Sequence, residues 1–144
     1  MDFTVTRPKR KYECLIILHP DASEKDQKAF FQKQKDILKQ FEGKFHHIDS
    51  WGKRRLANPI EKLKVGNYFH TTFEAKAESV IELERVMRIE DKVLRFMHSR
   101  LDDRVSLGQH IDTYREVIKA SIQRENEKEK AFQARRQAKK NSKP

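Results

Sequence analysis

The feature that most constrains this chain is a short apolar run, Lys11–His19, K-Y-E-C-L-I-I-L-H, stopped by Pro20. It is too short for a helix and reads as a β-strand. Tyr12, Cys14, Ile16 and Leu18 share one face, and Glu13, Leu15, Ile17 and His19 share the other. Because its middle is apolar on both faces, this strand is expected inside a sheet.

The elements that follow supply the rest of that sheet. Ser23 opens a helix, with Asp26 in the place of a capping-box acid. Phe30, Phe31, Ile37, Leu38 and Phe41 form its apolar stripe, and Gly43 is expected to take the left-handed position after its end. Lys44–Ser50 reads as the second strand. There Phe45, Ile48 and Trp51 recur at spacing three, which points to a bulge or strong twist. Asn67–Glu74 is the third strand, with Phe69 and Phe73 on one face and Tyr68, His70 and Thr72 on the other. Ala77–Arg88 is the second helix, striped by Val80, Leu83 and Met87, with Val86 beside the stripe and Glu84 interrupting it. Lys92–Ser99 is the fourth strand, with Val93 and Met97 expected in the core and Leu94, Phe96 and His98 facing away. Two β-α-β halves of similar length predict an α+β, ferredoxin-like β-α-β-β-α-β sandwich, with two helices on one face of a four-stranded antiparallel sheet.

Three segments result: a flexible leader over 1–9, a ferredoxin-like domain over 10–102, and a basic, helical C-terminal extension over 103–144. Ile111, Tyr114, Ile118 and Ile122 give the extension an amphipathic start. From Gln123 it is charged nearly all round, which suits a solvated helix or one that forms on docking.

Between the two halves lies Trp51–Ile60, W-G-K-R-R-L-A-N-P-I, read here as their connection. It holds three consecutive cations, Lys53, Arg54 and Arg55, in a chain whose formal charge is +10. A basic protein of this size has nucleic acid as its first partner class and anionic membrane as its second. No apolar run is long enough to span a membrane, and Met1–Arg10 has no hydrophobic segment of the kind a secretory signal needs. With Cys14 as the single cysteine, no intrachain disulfide or thiolate metal site can be built, and a reducing intracellular compartment is the simplest setting. From the residues alone, a solvated turn and a phosphate contact explain Lys53–Arg55 equally well.

Three blocks carry a resemblance. They are Y-E-C-L-I-I-L-H-P, then E-G-K-F-H-H-I-D-S-W-G-K-R-R-L-A-N-P-I, and R-I-E-D-K-V-L-R-F-M, all between about Lys11 and Arg100. On these residues the chain resembles the S-six family of bacterial-type small-subunit ribosomal proteins. The departure is Asn58, where the family usually carries an aromatic. The resemblance implies a non-enzymatic, cytoplasmic, ribosome-associated protein. Its partners would be the central domain of small-subunit ribosomal RNA and the S-eighteen protein of the same subunit, with no cofactor and no small-molecule substrate.

The candidate RNA- or partner-binding residues are Lys53, Arg54 and Arg55, with Arg88, Lys92 and Arg95 as a second cluster. The last three could instead form ion pairs with Glu90 or Asp91. Lys9, Arg10 and Tyr12 begin the first strand, where Tyr12 is either a base-stacking ring at a functional edge or a core ring. Trp51 is read as a packing anchor closing the core. Metal binding is not expected, because alternate strand residues such as His46 and His47 face opposite ways and no third ligand accompanies them. Two other classes fit the fold less well. An RRM-type single-strand RNA binder needs an aromatic pattern that K-V-G-N-Y-F-H-T-T-F lacks. An acyl-phosphate enzyme needs an amide-rich anion cradle where the chain has His19-Pro20-Asp21-Ala22-Ser23.

Overall fold

The computed structural model describes residues 8–142, so most of the expected leader lies outside the described residues. The elements are β1 (Arg10–Leu18), α1 (Glu24–Gln40), β2 (Lys44–Ile60), β3 (Leu63–Ala75), α2 (Glu78–Ile89), β4 (Val93–Arg100) and α3 (Leu107–Asn141). The four strands form one sheet in the order β2-β3-β1-β4, and every neighbouring pair is antiparallel. The apolar first strand is therefore central, as its two apolar faces require.

The core lies between the sheet and the two helices. Cys14, Ile16 and Leu18 of β1 meet Phe69 and Phe73 of β3, Phe30, Ile37 and Leu38 of α1, and Leu83 and Met87 of α2. Tyr12 belongs to the same cluster, with its ring centroid 5.5 Å from that of Phe73. The Ser23 capping box is complete: its hydroxyl accepts from the Asp26 amide, and the Asp26 carboxylate accepts from the Ser23 amide. At the other end of α1 the left-handed residue is Glu42 (φ 56°), not Gly43. The Glu42 and Gly43 amides donate back to Lys39 and Leu38, closing a Schellman turn. Gly43 is required for a different reason, since a Cβ there would lie 2.4 Å from that of Ala75.

The expected bulges on β2 are present, with register shifts between Phe45 and His47 and between Ser50 and Gly52. The faces of β4 differ from expectation. Phe96 and His98 pair with Ile16 and Cys14 and face the helices, whereas Met97 is 58% exposed on the other face with Arg95. A register shift opposite Ile17 and Leu18 skips Leu94, and so Val93 returns to the core side. Straight alternation from Val93 therefore assigns the outer end of the strand to the wrong face.

Helix-side burial also explains His98. Its Nδ1 lies 3.1 Å from Glu84 Oε1, which gives the charged interruption of the α2 stripe a partner. Its Nε2 is buried with no hydrogen-bond partner among the described residues. Burial pushes its pKa below the ordinary 6.5, and the Glu84 carboxylate opposes that shift without reversing it. The folded state thus favours neutral His98, while the unfolded chain takes up a proton near 6.5. The stability this group contributes is complete above that pH and is lost as pH falls below it. Thermal unfolding between about pH 7.5 and 5 should show a midpoint falling with pH, more steeply in the wild type than in His98→Gln. Equal slopes would contradict this.

The chain divides into two compact units, at Arg104/Val105. In the second, α3 is a single helix of 35 residues. Ser106 and Gln109 make a second complete capping box, and the Ala, Glu, Lys, Arg and Gln residues that follow are strong helix formers. Along its predicted stripe, burial weakens from Ile111 (5% exposed) to Ile122 (38%).

Candidate nucleic-acid interface

Trp51–Ile60 is not a connection. It is the outer half of β2, which pairs back on β3 to form a long hairpin with Ile60 opposite Leu63. The turn is the two residues Glu61 (φ 48°) and Lys62 (φ 66°). Both are left-handed, the arrangement whose twist matches that of the flanking strands. β1 pairs with β3 only from Asn67 onward, so the hairpin beyond Lys53 and Asn67 has no third strand beside it. Pro59 is tolerated because β2 is the edge strand and its pairing is irregular between Arg55 and Ile60.

Two glycines shape the arm. Gly52 (φ 74°) is the left-handed residue of a bulge, and its amide donates to the Ser50 hydroxyl. Gly66 lies against β1, where a Cβ would come 2.5 Å from Ile17 Cγ2, with Leu56 beside it. Leu56 is buried there and anchors the arm.

The bulge at Gly52 also decides where Trp51 goes. Its ring stacks on Tyr68 (6.4 Å between centroids, 13° between planes) and His70 (5.6 Å, 16°), which lie on the sheet face opposite the helices. Trp51 is a packing anchor, but for this second face rather than for the helix-side core. Under it, His70 is 2% exposed and pairs with Glu13 of β1 at 3.0 Å. Arg54 extends the column, with Cζ 6.0 Å from the Tyr68 ring centroid, a cation–π arrangement.

Lys53 and Arg55 point to the other side of the ribbon from Arg54. Both are exposed and neither has an ion-pair partner among the described residues. Lys62 in the turn and Lys64 on the Arg54 side add to the charge, so Lys53–Lys64 carries five cations and one acid, Glu61. Those two lysines were missed in the sequence because Pro59 hid the hairpin. The alternation L-K-V-G after a two-residue break was the available signal.

The other candidates separate into three places. Glu61 at the hairpin tip lines one shallow depression with Arg88, Leu94, Arg95 and Phe96, so the hairpin turn lies beside two members of the second cluster. Arg88 pairs with Glu84 at 3.1 Å, not with Glu90 or Asp91, and its Cζ lies 5.8 Å from the Phe96 ring centroid. Arg95 is exposed with no ion-pair partner among the described residues. Lys92 turns toward α1, where its Nζ is 2.6 Å from Asp26, and that contact holds the Asp26 carboxyl down at about 2. Lys9 and Arg10 lie at the opposite end of β1 from the hairpin, roughly 27 Å away at strand rise. Arg10 and Arg100 both pair with Asp103, each at 3.0 Å. Tyr12 is corrected outright: at 8% exposed against Phe73, it is a core ring and offers no face for a base to stack on.

Nothing in this arrangement resembles a reaction centre. Burial pushes the Cys14 thiol far up, which removes it as a nucleophile. The His19 ring accepts from the Asp21 amide at 3.1 Å, so the β1–α1 turn spends that amide internally. Among the described residues there is no group of three or more His, Cys, Asp or Glu placed to hold a metal ion. Among them, too, no helix is long and apolar enough to cross a membrane.

Comparison with known proteins bears on the family of the chain. The family model described as Ribosomal protein S6 matches residues 11–100. The small ribosomal subunit protein bS6 of Bdellovibrio bacteriovorus is 48% identical over 120 residues, which cover 83% of this chain and 79% of that one. The protein of the same name from Trichlorobacter lovleyi is 43% identical over 94 residues, 65% of this chain and 77% of its own. Among solved structures, 30S ribosomal protein S6 from Thermotoga maritima shares the fold. Its TM-score is 0.59 at 24% identity, over 78% of this chain and 98% of that one. The Bdellovibrio match is longer than the family-model match and extends into α3. A four-stranded antiparallel sheet covered by two helices, the W-G-K-R-R hairpin and relatives that agree across most of their length place the chain in the Ribosomal protein S6 family of the small ribosomal subunit.

Proposed function

We propose that this chain binds small-subunit ribosomal RNA, at the central domain that forms the platform, together with the S-eighteen protein of that subunit. It is a structural constituent of the ribosome in the bacterial cytoplasm and not an enzyme. The observation that carries the RNA assignment is the hairpin arm. It presents five cations against one acid on a ribbon that no third strand covers. Such side chains neutralise phosphates and set the position of the protein without reading sequence. Arg88 and Arg95 lie beside Glu61 of the hairpin turn and add two cations there.

The helix-free face of the sheet suits the protein partner. Met97 is exposed there, and Leu15, Ile17, Tyr68 and Trp51 are half-buried, an apolar centre with the charged arm at its rim. An RRM-type reading has less support, because Tyr12, Phe69 and Phe73 of the two central strands point into the core. Crosslinking within intact small subunits, mapped to peptides of this chain, tests the proposal. RNA adducts are expected on residues 53–64, and adducts to the S-eighteen protein on the Met97 face.

A further inference from the structure

α3 has a division of charge along its length that the hairpin does not account for. Its first part, Leu107–Lys130, holds five Lys or Arg and five Asp or Glu, and is formally neutral. From Ala131 onward there are five cations and no acid. The change begins roughly 36 Å from the start of the helix, at 1.5 Å per residue.

These final turns are also sided. Phe132, Arg136 and Lys140 follow one another at spacing four, and Arg135 and Lys139 run beside them at the same spacing. At 100° per residue, the four cations and the ring occupy an arc of roughly 140°. Ala134, Ala138 and Asn141 fill the opposite side. Phe132 is 64% exposed. Arg135, Arg136, Lys139 and Lys140 are exposed and make no ion pair among the described residues.

We infer that this distal face of α3 is a second RNA-binding surface, separate from the hairpin, in which the four cations hold phosphates and Phe132 stacks on an unpaired base. This inference rests on the ribosomal reading above. The chemistry favours RNA over the alternatives. A membrane-surface helix needs a broad apolar face, and here the side opposite the charges is alanine and asparagine. Cations surrounding one exposed aromatic are the combination that tracks a nucleic-acid backbone and accepts a base.

The test uses the full chain in purified small subunits. In the variant R135Q/R136Q/K139Q/K140Q, glutamine keeps the helix propensity while the charge is removed. The hairpin should still hold the variant in the subunit. The slope of log affinity against log salt should fall by about 3, at roughly 0.7–0.9 per phosphate contact. An unchanged slope overturns the inference. A photoreactive phenylalanine analogue at position 132 of the otherwise wild-type chain should crosslink to RNA. Crosslinking only to a neighbouring protein overturns the inference in favour of an acidic protein partner. A wild-type chain that never enters the subunit removes the ribosomal reading itself, and this inference with it.

Discussion

Replacing Lys53, Arg54 and Arg55 together by alanine should lower the affinity of the chain for the small subunit by roughly 10- to 100-fold at physiological salt, with the fold unchanged. The size follows from counting contacts. Three fewer phosphate partners reduce the salt slope by about 2–3, and the remaining cations of the arm cannot replace them. The fold should survive because Lys53 and Arg55 are exposed and unpaired among the described residues, and Arg54 meets the Tyr68 ring in a cation–π contact at the half-buried edge of the arm. Such a contact is worth about 0.5–1 kcal/mol at an exposed site. The matched control is Arg10→Ala with Lys92→Ala. Those cations are engaged by Asp103 and Asp26, so their loss should change RNA affinity far less. Co-sedimentation with small subunits across a salt series reads both variants. Equal retention of the triple variant and the wild type would remove this cluster from the contact surface.

Phe73→Ala should be the most damaging single truncation in the sheet, costing about 3–5 kcal/mol. Phe73 is 1% exposed at the centre of β3. Its ring meets Tyr12 at 5.5 Å, Phe45 at 6.0 Å and His98 at 5.9 Å between centroids, so one side chain joins all four strands. No neighbour can collapse into the gap without pulling on another strand. A loss of that size is a large part of the 5–15 kcal/mol by which a domain of this kind is stable. Urea unfolding monitored by circular dichroism should show a much lower midpoint at similar slope. A midpoint near the wild-type value would mean that the aromatic cluster does not hold the sheet together.

Where burial is periodic, the sequence was a sufficient guide. The central strand, the two helical stripes, the split between Phe69/Phe73 and Tyr68/His70, and the bulges in the second strand all follow from which residues must leave water. The errors have a common cause: they fall where backbone geometry, not burial, sets the outcome. The outer half of β2 pairs through its main chain while its side chains are cations, an asparagine and a proline, so no apolar alternation marks it as a strand. Trp51 sits on the far side of the sheet because left-handed Gly52 shifts the register by one residue, and a one-residue shift exchanges faces. The same effect at Ile17 and Leu18 exchanged the expected places of Met97 and Phe96. Glu42 takes the left-handed position beside a glycine better suited to it, because Gly43 is needed where Ala75 packs.

The candidate interface was accessible in its chemistry but not in its geometry. Lys53, Arg54, Arg55, Arg88 and Arg95 stand out by charge alone, yet only the fold shows that the hairpin turn, through Glu61, lies beside Arg88 and Arg95. Charge alone also drew in Lys92 and Arg10, which the fold turns toward Asp26 and Asp103. Tyr12 looked like a stacking ring because cations precede it, but its parity with Cys14 and Ile16 already placed it in the core.

RNA crosslinking in the intact small subunit, with adducts mapped residue by residue on this chain, bears most directly on the hairpin assignment. Adducts concentrated on residues 53–64, with Arg88 and Arg95 alongside and Lys92 spared, are the expected result. Adducts confined to the Arg10 end of the sheet, with residues 53–64 free, would contradict it.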